Sequence, residues 1–63
     1  MTDPWLELVQ RQAQKEVNLM SDERVLRECS HMNKDVLVPE YVPSLRLHLI
    51  GERVAQIMDE QFV

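Results

Sequence analysis

The side chains best suited to metal or nucleophilic chemistry in this sequence are one cysteine and two histidines, Cys29, His31 and His48. A structural zinc site needs three or four such ligands. Cys29 and His31 are two residues apart, which on a helix places them on different faces. The pattern favours a buried cysteine and a solvent-facing His31, and His48 between two leucines is typical of a surface or interface. We therefore expect neither a metal nor another cofactor.

Catalytic groups are equally sparse. Ser30 and His31 are sequence neighbours, not side chains placed as nucleophile and base. The only glycine is Gly51, so the sequence contains no glycine-rich phosphate-binding loop. A thin helical core leaves little room for a pocket of about 300 Å³, the lower end of ordinary ligand sites. We expect a protein that is not an enzyme.

Length and composition limit what can hold the remaining residues in place. The 63 residues are expected to form one domain, residues 1–63, which buries only about 60% of the surface that its unfolded chain exposes. One cysteine cannot form an internal disulfide, and neither a signal sequence nor a membrane-spanning apolar run is visible. A cytoplasmic protein stabilised by a partner is therefore expected.

Hydrophobic spacing predicts an all-α fold. A first helix is expected over residues 4–20, because Asp3 can cap it and Pro4 suits the first helical position. A second helix, capped by Ser21, is expected over residues 22–32. Their short joint predicts an N-terminal helical hairpin, with a single kinked helix as the alternative.

The second half of the chain predicts a crossing segment and a long helix. Pro39 and Pro43 forbid a regular helix through residues 36–43, which are expected to cross in an extended conformation. A long C-terminal helix then follows a cap at Ser44. Alternation of apolar and polar residues leaves a strand over residues 45–49 as the alternative.

Two features of this last helix predict an antiparallel homodimer. Its cations include Arg46 in the first half, whereas Asp59 and Glu60 lie at the end, which is unfavourable for the helix dipole. An antiparallel second copy would bring Arg46 close to those acids. The alternative is that the apolar stripe of the helix covers the first two helices within one chain. The expected interface is this stripe: Leu47, Ile50, Gly51, Val54, Ile57 and Met58.

The function favoured by these features is that of a small regulator that binds a larger protein as an inhibitor, adaptor or accessory subunit. Trp5, Tyr41 and Phe62 are the candidate contacts, since aromatic side chains are enriched at interaction hot spots. Trp5 is also a candidate for the edge of the core. Small regulators of this kind are often of phage or bacterial origin, although no motif here is specific to a family.

A small dimeric DNA-binding transcriptional regulator is the alternative function. The net charge of −4 weighs against it, because phosphates favour a basic surface. Residues 33–43 are also too long for the turn of about three or four residues in a helix-turn-helix. The fold would have to gather the basic residues into one patch: Arg11, Lys15, Arg24, Arg27 and Lys34.

Overall fold

Residues 3–61, the part of the chain that this computed structural model describes, form three α-helices and contain no strand. The helices are α1 (Pro4–Asn18), α2 (Asp22–Glu28) and α3 (Val42–Gln61). The predicted all-α class and its long last helix are confirmed. The alternative prediction of a strand over residues 45–49 is wrong, because these residues lie inside α3.

The first two helices begin at the predicted caps. The Asp3 carboxylate accepts a hydrogen bond from the Trp5 backbone N–H at 3.0 Å. Ser21 Oγ accepts one from the Arg24 backbone N–H at 3.2 Å. Each bond satisfies one of the N–H groups that a helix start leaves without a partner. The predicted starts of α1 and α2 are therefore confirmed.

α2 is shorter than predicted. The expected helix reached Met32, whereas α2 ends at Glu28. Beyond it, the N–H groups of Ser30 and Met32 bond to carbonyls three residues back, at 3.1 and 2.9 Å, instead of four residues back. Ser30, His31 and Asn33 are only moderate helix formers, which agrees with the early end.

The proline-containing connection is only partly extended. It contains two 3₁₀ helices, Lys34–Val36 and Pro39–Tyr41, so the prediction of an extended crossing over residues 36–43 is wrong for most of its length. α3 begins earlier than the predicted cap at Ser44. Pro43 lies in its first turn, where the missing N–H of proline costs no helical hydrogen bond.

The hydrophobic core lies where α1 and α2 pack against α3. Val9, Ala13 and Val17 form the buried face of α1, as their three- to four-residue spacing predicts. Leu45 and Leu49 are the buried leucines of α3. The central cluster draws on all three helices and on the turns beside them: Val17, Val25, Cys29, Val42, Leu45 and Leu49.

Arg46 of α3 is a polar link among the three helices. Its guanidinium donates hydrogen bonds to the backbone carbonyls of Val17 at 2.7 Å and Met20 at 2.9 Å. It also donates to Asp22 Oδ1, in the first residue of α2, at 2.9 Å. The Val17 carbonyl also accepts from the Met20 N–H at 3.1 Å, and Met20 lies two residues beyond α1, so Arg46 adds further donors at this helix end, where the helix dipole favours a cation. Arg46 therefore fastens the end of α1 and the start of α2 to α3.

We predict that Arg46→Met lowers the free energy of unfolding by about 2–3 kcal/mol, because hydrogen bonds to a charged group contribute about 1.5–3 kcal/mol. Methionine keeps apolar length at the position, so the change mainly removes the guanidinium. Denaturant unfolding followed by circular dichroism measures the difference. The matched control, Arg27→Met on the exposed side of α2, should change stability by less than about 0.5 kcal/mol. Equal losses in the two variants would contradict this role of Arg46.

Candidate binding surface

A groove lies on the surface between α1 and α3. Its volume is about 410 Å³, which is within the range of about 300–1,000 Å³ typical of ligand pockets. The sequence predicted little room for a pocket of about 300 Å³, and this groove, which is open at the surface, exceeds that volume. The groove is lined by two glutamines of α1 and by apolar residues of α3: Gln10, Gln14, Leu47, Ile50, Gly51 and Val54.

The groove contains four of the six residues predicted for a dimer interface. Leu47 is 72% exposed and Gly51 is also exposed, whereas Ile50 and Val54 are half-buried. The exposed members show that this surface is not fully covered by the rest of the described chain. The other two predicted residues lie further along α3 and are half-buried: Ile57 and Met58.

α3 has apolar residues on two sides. The predicted dimer interface contains Leu47 on the outer side, but not the leucines on the side that faces α1 and α2. Leu45 and Leu49 point into the core, although neither was in the predicted stripe. Leu47 is two residues from each of them, which on an α-helix turns it to the opposite side. Ile50 lies at the boundary and packs against the core cluster. Within the described chain, the core therefore covers part of Ile50, whereas Leu47 remains exposed.

Gly51 has no neighbour in the described residues that requires a glycine. It lies within α3 and does not have a positive φ angle. A Cβ atom built on it would have nothing within 4 Å. A glycine inside a helix costs about 1 kcal/mol relative to alanine. The groove therefore contains a destabilising residue at a position where the backbone is open to a neighbouring molecule.

The reversed charge polarity of α3 has an explanation within one chain. Arg46 binds the end of α1, and Arg53 Nε donates a hydrogen bond to Glu16 Oε2 at 2.6 Å. Arg53 holds the pKa of Glu16 below its usual value, with a smaller effect from Gln12, and Glu16 in turn raises the pKa of Arg53. The complementary groups are therefore Glu16 and the carboxyl end of α1, together with Asp22 of α2. A second copy of the chain is therefore not needed to pair Arg46 and Arg53.

The aromatic residues predicted as partner contacts do not form one cluster. Trp5 is 37% exposed at the start of α1, and Tyr41 is 44% exposed just before α3. Arg46, little more than one turn after Tyr41, reaches the end of α1, about 18 Å from Trp5 by the rise of a helix. Trp5 and Tyr41 therefore lie toward opposite ends of the α1 and α3 pair. Phe62 lies outside the described residues.

A cluster of two histidines and a glutamate lies on another part of the surface. His48 Nε2 is 3.0 Å from Glu52 Oε1, and His31 Nε2 is 4.0 Å from the same oxygen. The four-residue spacing of His48 and Glu52 is visible in the sequence, but only tertiary packing brings in His31. Cys29, which was considered with these histidines, is fully buried. Burial raises the pKa of its thiol, and Glu52 and Glu28 raise it further.

The basic residues considered for DNA binding are on exposed surfaces. α2, which carries Arg24 and Arg27, is only seven residues long. Arg24 lies 3.9 Å from Glu28 in an exposed ion pair. This mixture of charges on α2 is typical of a solvated helix face.

Comparisons of the chain with protein-family models, with curated proteins and with solved structures find no match. In residues 3–61, none of the helices has the length and apolar character needed to cross a membrane.

We predict that Gly51→Ala raises the free energy of unfolding by about 0.5–1 kcal/mol in dilute solution, because the added Cβ gains helix propensity and meets no neighbour. Denaturant unfolding at low protein concentration measures this change without a contribution from association. Ala55→Gly, at an exposed position one turn later in α3, should lower stability by a similar amount. A loss of stability in Gly51→Ala would show that the position has a close neighbour within the chain.

Proposed function

We propose that this chain is a small protein-binding regulator, an inhibitor, adaptor or accessory subunit of a larger protein, that acts by contact without catalysis. The observation that carries the proposal is the α1–α3 groove, where Leu47 is 72% exposed and the Gly51 backbone is open. Exposed apolar patches on small proteins commonly mark interaction sites. The groove is lined by apolar side chains and amides rather than by titratable groups. This lining is better suited to contact with another protein than to acid–base catalysis.

The first proposed partner is a second copy of the chain. Two α3 helices would pack antiparallel through the outer stripe, with Gly51 and Val54 near the two-fold axis. The missing side chain of Gly51 lets the backbones approach, and Leu47 of each copy gains burial. In this arrangement α1 and α2 form a hairpin behind each α3. Dimerisation would supply the stability that a chain of 63 residues cannot readily obtain from its own core.

The second proposed partner is one larger protein, met in the cytoplasm of a bacterial or phage-infected cell. Trp5 and Tyr41 are the proposed contacts, because both rings are partly exposed and lie outside the residues that line the groove. Their separation favours a partner surface that extends along the α1 and α3 pair. Phe62 is included in this proposal on its residue type alone.

The dimer predicts a solution mass of twice the 7.5 kDa chain in light scattering. Leu47→Glu should give a monomer with unchanged helical circular dichroism, since Leu47 is 72% exposed in the single chain. Leu8→Glu is the matched control, because Leu8 is 62% exposed on α1 and does not line the groove. It should remain a dimer. A wild-type mass of 7.5 kDa at the highest soluble concentration would exclude the dimer.

The larger partner is tested by affinity capture from the native host and mass spectrometry. We expect wild-type bait and the control Arg27→Ala to retain the same protein, and Trp5→Ala and Tyr41→Ala to lose it. Circular dichroism of each bait confirms that it is folded. Recovery of the same proteins with all four baits would contradict the proposed contacts. Salt-sensitive binding of the wild-type chain to generic duplex DNA would favour the transcriptional regulator instead.

A further inference from the structure

The cluster of His31, His48 and Glu52 combines ligands that suit a transition metal. The three residues each offer one ligand atom, and these atoms all lie within 4.8 Å of one another. All three side chains are open to solvent, with exposed fractions of 61% for His31, 42% for His48 and 44% for Glu52. We propose that this cluster is a binding site for a zinc ion.

The ligand types favour zinc over the common hard cations. Two imidazoles and one carboxylate match the three-ligand zinc sites in which water completes a tetrahedron. Calcium and magnesium prefer oxygen ligands and would gain little from His31 and His48. Glu52 and the two histidines therefore define a site for a borderline-soft divalent ion, with one coordination position open to solvent.

The geometry needs only side-chain movement to close on the ion. Ligand atoms bound to one tetrahedral zinc at about 2.0–2.1 Å lie roughly 3.3 Å apart. His48 Nε2 and Glu52 Oε1, at 3.0 Å, are already close to that spacing. His31 Nε2 is 4.0 Å from the same oxygen, so an approach of less than about 1 Å is needed there. Exposed side chains can make such a change by small rotations.

The site joins two separate parts of the fold. His48 and Glu52 are one turn apart on α3, whereas His31 lies in the turn that follows α2. The two histidine rings have centroids 6.3 Å apart and are tilted by 43° to each other. A bound ion would tie this turn to α3. Because zinc would bind the folded chain with all three ligands in place, it should raise the thermal stability.

Zinc chloride titrated into the wild-type chain, followed by calorimetry and thermal unfolding, tests the site. We expect one zinc per chain and a rise in melting temperature, with no rise from magnesium chloride at the same concentration. We expect each of three variants to weaken zinc binding by more than about tenfold: His31→Gln, His48→Gln and Glu52→Gln. Loss of a residue that only hydrogen-bonds a metal ligand already costs about tenfold or more in metal affinity, and a ligand should matter at least as much. Glu28→Gln removes a nearby negative charge outside the cluster and should leave the affinity nearly unchanged.

His31→Gln is the decisive variant, because His48 and Glu52 alone can form a weak two-ligand site on α3. Equal zinc affinity in His31→Gln and wild type would overturn a site that joins the turn to the helix. If zinc does not raise the melting temperature, the cluster is only an exposed contact between two histidines and a carboxylate, and the proposed zinc site is wrong. Equal weakening by Glu28→Gln and Glu52→Gln would show only diffuse attraction to negative charge, and would also overturn the proposal.

Discussion

The carboxyl end of α1 is the point on which the arrangement of the helices depends. Arg46 of α3 donates hydrogen bonds to the Val17 carbonyl, which also accepts from the Met20 N–H, and to the Met20 carbonyl just beyond α1. Because the same guanidinium also reaches Asp22, it brings α1, α2 and α3 together at one place. The contact restricts the rotation of α3 about its axis. With Arg46 directed at the end of α1, its neighbour Leu45 faces the core.

The rotation of α3 also determines what the surface presents. Leu47 turns away from the core and, with Gly51, becomes part of the groove beside α1. On another side of the same helix, His48 and Glu52 turn toward His31, which lies after the early end of α2. A longer α2 would have carried His31 in a helical conformation instead. The groove and the histidine cluster therefore follow from how α3 packs on the first two helices.

Local signals in the sequence were sufficient for the helix starts and for the buried face of α1, but not for the buried face of α3. Asp3 and Ser21 predicted the starts of α1 and α2, because capping depends on residues close in the chain. The inner side of α3 was missed because apolar residues occur around much of its circumference. Arg46 determines which side of α3 faces the other helices. Its partners are backbone carbonyls, and a contact with a backbone carbonyl cannot be recognised from the sequence. The proximity of His31 to α3 has no sequence signature either, because it depends on how the turn after α2 packs against α3.

The distribution of side-chain sizes supports association more strongly than charge does. Leu45 and Leu49 are buried in the core, whereas Leu8, Leu19 and Leu47 are all more than 60% exposed. Full burial of one leucine contributes about 1.5–3 kcal/mol. A short chain with a small margin of stability thus leaves much of its largest apolar surface outside its own core. That free energy is gained only when another surface covers these side chains, and the α1–α3 groove, where the Gly51 backbone is open, is the surface that we propose for one such contact.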